Sequence, residues 1–435
     1  MKIQQLELQN FRCFEHKIFD FSDQFNVIIG DNGTGKTAFS DALRLIIGVF
    51  IYRLAEIREN TFQDKSRIQD SDIRQVRNQK IECKLPVGLF CKSIINDISI
   101  QWSTTLIEDN GAYGRTPHLS PNLIQIVDSL REKVNNSQKI NLPLISYYGT
   151  GRLWTIKKEY QEYIDLKYSP IGHSRFWGYT ESLDPRSNLV IDWFRFEEPE
   201  ILLGQQSITI HQAISNALYT CQIDNWIEMN YDSNEDTLVV KSRSGNSQHF
   251  TKLSDGVKNM LGMVADITYR AAKLNPHLGA DVSKQTPGIV LIDEIDLHLH
   301  PKWQRRVVED LKRTFPKIQF FATTHSPFII QSLRDGELID LNNSDLIPAA
   351  EYENKYTEYI MENVMHVPNT NRNERHQQMM NVAERYYQIL ENANNTSPEE
   401  LEKLKTKLDE LIEPYSDDVA YYAFLKMKRL AKLGE

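Results

Sequence analysis

The stretch GDNGTGKT, from Gly30 to Thr37, constrains the fold of this chain more than any other feature of the sequence. It follows FNVIIG, a continuous apolar run typical of a central β-strand, and it precedes TAFSDALRLIIGVF, in which apolar residues recur at helical spacing. A strand, a glycine loop and a helix are the context that the pattern G-x-x-x-x-G-K-[ST] requires. In that context backbone N–H groups point at phosphate oxygens next to a helix N-terminus. The sequence therefore predicts an α/β fold of the P-loop NTPase class.

The glycine loop also predicts which residues bind ATP and its Mg²⁺. We expect Lys36 to reach the β- and γ-phosphates and the hydroxyl of Thr37 to bind Mg²⁺. The neighbouring residues expected to contact the nucleotide are Asn32, Gly33, Thr34, Gly35 and Ala38. A chance glycine turn is the alternative interpretation, and the flanking strand and helix argue against it.

A second buried strand is predicted at GIVLI, and it ends in acidic residues. We expect Asp293 to hold Mg²⁺ directly or through water, and Glu294 to polarise the water that attacks the γ-phosphate. The alternative is a buried strand followed by solvated acids. His298 and His300 are spaced so that both imidazoles could act as zinc ligands, although no third ligand has a convincing spacing.

A third apolar strand, IQFFATT, ends just before His325. The carboxyl ends of strands in an open α/β sheet converge on the ligand crevice, so the three polar clusters are expected to meet there. We expect His325 to hydrogen-bond the γ-phosphate and to sense its hydrolysis. A purely structural histidine is the alternative.

Composition limits the partners and the compartment. The 435 residues carry a formal charge of -9, which argues against a chain that binds nucleic acid over its whole surface. There is no secretory leader pattern and no apolar run long enough for a transmembrane helix. The cysteines are scattered without a C-x-x-C pair, as expected of a cytoplasmic protein: Cys13, Cys83, Cys91 and Cys221.

Several motifs together resemble the head of an ABC-type ATPase. They are the glycine loop, LSDG at 253–256, the acidic strand end and the histidine after the third strand, and NFRCF at 10–14 makes the chain similar to the RecF, Rad50 and SMC branch. The resemblance implies a homodimer with two composite sites. In such a dimer, Ser254, Asp255 and Gly256 of one copy close on the γ-phosphate held by the other copy. It also implies that Arg12 lies near the nucleotide.

Two further segments correspond to loops of these heads. SYYGTGRLW at 146–154 takes the place of the Q-loop and DLHLH at 296–300 that of the D-loop. The Q-loop segment contains no glutamine, and Tyr148 and Arg152 are the candidates for its role. The signature reads LSDGVK rather than LSGGQ. No sustained heptads occur before it, so a long coiled coil is not expected.

LNPHLG, GIVLIDEIDLHLHPKWQ, YYGTGRLW and TTHSP make the chain similar to the stand-alone ATPases of bacterial antiphage defence, most of all the Septu ATPases and their retron-associated relatives. This resemblance implies an ATP-hydrolysing sensor and scaffold, in a homodimer or larger homo-oligomer, that controls a separate HNH-type (PtuB-like) nuclease. The alternative is a RecF-like DNA repair ATPase that binds DNA through its ATP-closed homodimer.

The domain organisation is predicted as an ATPase head over residues 1–345 and a C-terminal helical module over 346–435, for partner binding or assembly. Within the head we expect an N-lobe with a β-meander at 1–120, a helical, aromatic-rich insert at about 121–235, and the signature and acidic-strand lobe at 236–345.

The C-terminal module is predicted from two amphipathic patterns. SPEELEKLKTKLDELIEP at 397–414 carries an S-x-x-E capping box and leucines on one helix face. The next helix has a stripe that packs within the chain or docks a partner, and its members are Ala420, Phe424, Met427 and Ala431.

Overall fold

The described part of the chain is a mixed α/β structure that contains both parallel and antiparallel sheets. In this computed structural model the described residues are 1–55, 67–77, 81–95, 97–109, 112–153, 174–184, 193–194, 205–342, 347–353, 355–367, 381–388, 403, 406, 409–410, 413–415 and 419–433. Two compact units divide between Ile360 and Met361. The sequence predicted a division after residue 345, so the first unit extends further than expected.

The strands, in chain order, are β1 (Lys2–Phe11), β2 (Phe14–Asp20), β3 (Phe25–Ile29), β4 (Arg74–Arg77), β5 (Ile81–Lys84), β6 (Val87–Ile95), β7 (Ile98–Asp109), β8 (Ala112–Leu119), β9 (Leu144–Tyr148), β10 (Trp226–Asp232), β11 (Thr237–Ser242), β12 (Ser247–His249), β13 (Gly288–Ile292), β14 (Ile318–Thr323) and β15 (Leu338–Asp340). The helices are α1 (Lys36–Ala55), α2 (Pro121–Asn135), α3 (Gln205–Cys221), α4 (Asp255–Leu274), α5 (Val282–Gln285), α6 (Pro301–Gln304), α7 (Val307–Thr314), α8 (Pro327–Ile330), α9 (Thr357–Tyr359) and α10 (Val419–Leu433).

A parallel five-stranded sheet forms the centre of the first unit, in the order β15-β3-β14-β13-β9. Strands β3, β13, β14 and β9 are buried at every position, as expected of strands covered on both faces. The register pairs Ile292 with both Tyr148 and Ala322, so neighbouring strands end at the same edge. The predicted α/β fold with three convergent strand ends is confirmed.

Strand β9 corrects the predicted organisation of residues 121–235. These residues were expected to form a helical insert, but Leu144–Tyr148 pairs with β13 inside the central sheet. The reason is physical: LISYY is a short, wholly apolar run, and periodicity cannot distinguish such a run from a buried helical segment.

An antiparallel sheet lies beside α1, the helix that follows the glycine loop, and its strand order is β2-β1-β6-β7-β8. The buried residues of β1 are Ile3, Leu6, Leu8 and Phe11, and its other residues are half-buried. β6, β7 and β8 form the predicted meander. Trp102 of β7 is buried, and its indole N–H donates to the carbonyl of Ile46 in α1 at 2.8 Å. This sheet therefore holds α1 from the side.

The second unit is described only in part, and Tyr386 and Leu425 form its buried cluster. The capping box and leucines predicted at 397–414 lie largely outside the described residues. On α10, the two members of the predicted stripe whose side chains are described are exposed, Phe424 by 51% and Met427 by 67%. Within the described ranges, none of the helices combines the length and the apolar character that crossing a membrane requires.

Candidate functional site

The loop between β3 and α1 adopts a backbone that glycine makes possible. Gly30, Gly33 and Gly35 have φ angles of 151°, 88° and 110°. A Cβ on Gly35 would lie 2.5 Å from the sulfur of Cys13, and one on Gly33 would meet nothing within 4 Å. The loop is therefore fixed against the NFRCF turn at one glycine and faces open space at another, as a phosphate cradle requires.

Lys36 begins α1 and its side chain lies over the loop. Its Nζ donates to the carbonyls of Gly30 at 2.6 Å and Asp31 at 2.9 Å. Partial burial lowers the pKa of Lys36, and the nearby Asp31 and Glu294 carboxylates oppose that change. The glycine loop and the acidic strand end are thus close enough for Lys36 and Glu294 to interact electrostatically.

Three hydroxyl groups surround the Asp293 carboxylate, which follows β13. Ser40 Oγ, from α1, donates to Oδ1 at 2.8 Å, and Thr323 Oγ1, from β14, does so at 3.4 Å. Tyr147 Oη, from β9, donates to Oδ2 at 2.5 Å. Helix α1 and three strands of the central sheet, β9, β13 and β14, therefore meet at the Asp293 carboxylate. Sequence reasoning missed Ser40 and Tyr147.

The environment of Asp293 opposes its ionisation. Burial raises the pKa of Asp293, while the hydrogen bonds from Tyr147 and Ser40 oppose that increase. Burial and the neighbouring Asp293 carboxylate also raise the pKa of the Tyr147 hydroxyl, so this group stays a proton donor. A nearby cation would favour the Asp293 carboxylate, because an opposite charge stabilises the ionised form.

Residues at this edge fit a nucleotide with Mg²⁺. Thr37 is exposed at the start of α1, one helical turn before Ser40, and Asp293 supplies a carboxylate on the same side of the sheet. Oxygen donors of these types are those that Mg²⁺ prefers. Bound Mg²⁺ would offset the charge that phosphate oxygens develop during transfer. Of the other predicted loop contacts, Asn32 is exposed, Thr34 Oγ1 donates to the carbonyl of Asp31 at 2.9 Å, and Ala38 is buried.

Glu294 has a strained backbone that its neighbours fix. Its φ is 47°, in the left-handed region, where a non-glycine residue costs about 1–3 kcal/mol. Its N–H donates to Thr323 Oγ1 at 2.8 Å and its carbonyl accepts from Arg152 Nη2 at 2.8 Å. Both sides of the peptide are therefore held, which fixes the direction of the half-buried Glu294 side chain.

The candidates for the missing glutamine of the Q-loop do not reach the open side of the site. Tyr148 is buried, and its hydroxyl donates to Asp266 Oδ2 of α4 at 2.6 Å. Arg152 is 4% exposed and donates to the carbonyls of Gly149, Asp293 and Glu294 at 2.6–2.9 Å. Tyr147 points to the other side of β9, and its hydroxyl donates to the carboxylate of Asp293, whereas Arg152 bonds the backbone of that residue.

The LSDG segment lies at the start of α4. Ser254 and Asp255 are exposed, and Asp255 pairs with Lys258 at 2.8 Å. Gly256 is buried, and a Cβ there would lie 2.4 Å from the carbonyl oxygen of His298. The glycine is required because the 296–300 segment crosses the helix at van der Waals distance.

The histidines of the site have different surroundings. His325 follows β14 and is exposed, and its backbone N–H lies 3.4 Å from Asp296 Oδ1. His300 Nδ1 accepts the N–H of Lys302 at 3.2 Å and caps α6, while His298 is exposed with φ of 60°. Within the described ranges, no three His, Cys, Asp or Glu side chains are grouped as a zinc site needs. The zinc interpretation of the histidine pair therefore has no support from the geometry.

Arg12 lies beside the helix that carries the phosphate loop. Its guanidinium pairs with Asp41 of α1 at 2.7 Å and with the buried Asp72 at 2.8 Å. Its own φ is 49°. The structure thus places Arg12 near α1, held by two carboxylates, and its contact with the nucleotide stays a prediction.

Two family models match the chain across this site. One, described as "AAA domain", matches residues 5–190. The other, AAA_21, described as "AAA domain, putative AbiEii toxin, Type IV TA system", matches residues 124–331 and so includes the LSDG segment, the acidic strand end and His325. Residues 124–331 are therefore similar to an AAA_21-type ATPase domain.

Curated relatives of the chain include probable ATPases of retrons and a Septu protein. The Retron Vc95 probable ATPase of Vibrio cholerae serotype O1 biovar El Tor is 26% identical over 406 residues, covering 79% of this chain and 74% of that protein. The Retron Ec83 probable ATPase of Escherichia coli is 23% identical over 429 residues, covering 84% and 76%. The Septu protein PtuA of Bacillus thuringiensis is 32% identical over 161 residues, covering 34% and 40%. The chain is therefore homologous to retron ATPases and, over part of its length, to PtuA.

Among solved structures, the SMC head domain from Thermotoga maritima is 15% identical and has a TM-score of 0.44, covering 78% of this chain and 94% of that one.

Proposed function

We propose that this chain binds ATP with Mg²⁺ and hydrolyses it at the edge of the central sheet. Lys36 and the loop N–H groups hold the phosphates, Thr37 and Asp293 hold Mg²⁺, and Glu294 accepts a proton from the attacking water. The water oxygen bonds to the γ-phosphorus as the bond to the β,γ-bridging oxygen breaks, which releases ADP and phosphate. His325 contacts the γ-phosphate.

The observation that carries this proposal is the convergence on Asp293. A P-loop helix, through Ser40, and the ends of three parallel strands meet at one carboxylate, and Glu294 is the next residue. Catalysis of phosphoryl transfer depends on positioning and electrostatic stabilisation, and both are supplied by groups on rigid elements here.

We further propose that the chain works in antiphage defence as a homodimer or larger homo-oligomer that controls a separate HNH-type nuclease. The retron and Septu homology supports the setting, and the exposed Ser254 and Asp255 support an assembly in which one copy completes the site of another. The proposed role of ATP is to set the geometry of the assembly that holds the nuclease.

The deciding experiment measures ATP turnover and solution mass for the wild type, Lys36→Ala and Glu294→Gln, with and without Mg²⁺ and ATP. We expect K36A to lose ATP binding, and E294Q to retain ATP and accumulate as a closed dimer. Turnover by E294Q at the wild-type rate would remove Glu294 as the base. Light scattering with the adjacent gene product added then tests the nuclease partner. Salt-sensitive binding of duplex DNA by the chain alone, strengthened by ATP, would favour the RecF-like alternative.

For the C-terminal module we propose partner binding or assembly. On α10 the side chains of Phe424 and Met427 are exposed, while Leu425 is buried against Tyr386. Phe424→Asp with Met427→Asp should leave the unfolding temperature unchanged and reduce complex mass. Leu425→Asp is the contrasting control, since it should unfold the module. Unchanged complex mass in the double variant would remove this assignment.

A further inference from the structure

Arg152 and Asn259 form a buried link between the LSDG helix and the acidic strand end. Arg152 Nε donates to Asn259 Oδ1 at 2.7 Å, and both side chains are 4% exposed. Arg152 also donates to the carbonyls of Asp293 and Glu294, at 2.6 and 2.8 Å. The backbone of the candidate catalytic residue is thus bonded to a side chain that α4 holds.

Asn259 makes a second connection to the same segment. Its Nδ2 donates to the carbonyl of Leu297 at 3.1 Å. Gly256, one helical turn earlier on α4, is packed against the carbonyl of His298. One face of α4 therefore contacts residues 297–298 directly and residues 293–294 through Arg152.

Residues 293–298, which this face of α4 contacts, include two positions with a strained backbone. Glu294 and His298 are non-glycine residues with φ of 47° and 60°. Such conformations persist only where surrounding contacts over-determine them, and they cluster at functional sites. The contacts that hold them here include Arg152 at Glu294 and Asn259 at Leu297.

The charge of Arg152 suits it to this place. Burial lowers the pKa of Arg152 to about 10, while the nearby carboxylates of Asp293, Glu294 and Asp296 oppose that decrease. Three acidic residues therefore lie near the Arg152 guanidinium. A lysine there would keep the charge, but its single ammonium group cannot reproduce the planar fork that bonds carbonyls and an amide together.

We propose that Arg152 and Asn259 are positioning residues that fix the direction of Glu294 and couple it to the LSDG helix. A displacement of α4, on which Ser254 and Gly256 lie, is transmitted through Asn259 and Arg152 to the Glu294 peptide. Loss of either side chain leaves ATP binding intact and misplaces the base. This proposal rests on the proposed ATP hydrolysis, and it goes beyond it in naming the residues that connect the two motifs.

The test compares full-length Arg152→Lys and Asn259→Ala with Tyr148→Phe. Tyr148→Phe is the matched control, because it removes a buried hydrogen bond between the same region and α4, at Asp266, without touching the link. We expect R152K and N259A to lower kcat about tenfold to a hundredfold with KM for ATP nearly unchanged. Y148F should keep the wild-type kcat. A general loss of packing would instead affect all three variants.

Hydrogen exchange supplies a readout that does not depend on turnover. In the linked segment, the N–H of Ile295 donates to the carbonyl of Thr323 at 3.0 Å, and the N–H of Leu297 donates to the carbonyl of Glu294 at 2.9 Å. Without nucleotide, R152K and N259A should exchange faster over residues 293–299, and Y148F should not. If the wild-type protein does not hydrolyse ATP, the proposed function is wrong. The exchange rates over residues 293–299 would still test whether Arg152 and Asn259 hold that segment. Wild-type exchange in both link variants, or wild-type kcat in both with an active parent, would overturn the proposal.

Discussion

The Tyr147 hydroxyl donates to Asp293 Oδ2 at 2.5 Å and so occupies one side of the carboxylate that is proposed to hold Mg²⁺. Loss of a group that orients a metal ligand typically lowers metal affinity about tenfold to a hundredfold. We expect Tyr147→Phe to raise the Mg²⁺ concentration for half-maximal ATP turnover by about tenfold. A magnesium titration of ATP hydrolysis measures this.

Tyr148 offers the control for that titration. It is the next residue of β9 and is also a buried tyrosine, but its hydroxyl bonds Asp266. Y148F should therefore leave the magnesium dependence unchanged. Equal shifts in Y147F and Y148F would mean that the strand, and not the Tyr147 hydroxyl, sets the affinity.

Asp293→Asn should make the nucleotide-free protein more resistant to heat at neutral pH. Burial raises the folded-state pKa of Asp293, so the folded protein binds the proton more tightly than the unfolded chain. That contribution to stability is fully present below the ordinary Asp pKa and is lost as the pH rises through the raised value. The difference in unfolding temperature between D293N and wild type should therefore grow from pH 4 to pH 8. A difference that is independent of pH would contradict this assignment, and D293N should have no ATP turnover.

How far the sequence predicts the fold depends on the strand. β3, β13 and β14 were predicted because each long apolar run ends in a motif whose chemistry is recognisable. β9 has five residues, as β3 and β13 do, but it was missed because no phosphate-binding or acidic motif marks its end, and β15 was missed because it has only three residues. Tertiary pairing with β13 and β3 decides both, and a sequence pattern does not contain that information.

The same limit applies inside the site. In a strand covered on both faces, apolar residues do not alternate with polar ones. The sequence therefore does not show whether Tyr147 or Tyr148 faces the Asp293 carboxylate. The sequence favoured Tyr148, and the structure places Tyr147 there. Ser40 could have been found, since it lies one helical turn after Thr37 and so shares its face of α1. Arg152 was found as a residue but not as a link, because its partner Asn259 is far away in sequence.

We expect Arg12 to stabilise the fold, in addition to its predicted contact with the nucleotide. It is the partner of the buried Asp72, whose carboxylate would lose its cation in Arg12→Ala. We expect R12A to lower the free energy of unfolding by about 1–3 kcal/mol. Adding Asp72→Asn to R12A should recover part of that loss, because the unpaired charge is then removed. A double-mutant cycle by chemical denaturation measures the coupling, and simple additivity would contradict it.

Gly256→Ala tests whether the LSDG helix must lie directly against the 296–300 segment. A Cβ there would lie 2.4 Å from the His298 carbonyl oxygen, so backbone has to move, at a cost of about 1–3 kcal/mol. Gly262 lies in the same helix, and a Cβ there would meet only Phe250, at 3.8 Å. Gly262→Ala should therefore be neutral or stabilise by about 0.5–1 kcal/mol through helix propensity. Thermal unfolding and ATP turnover are measured for both variants. If G256A matches G262A in stability and in kcat, the 296–300 segment can move without affecting the site, and the prediction is wrong.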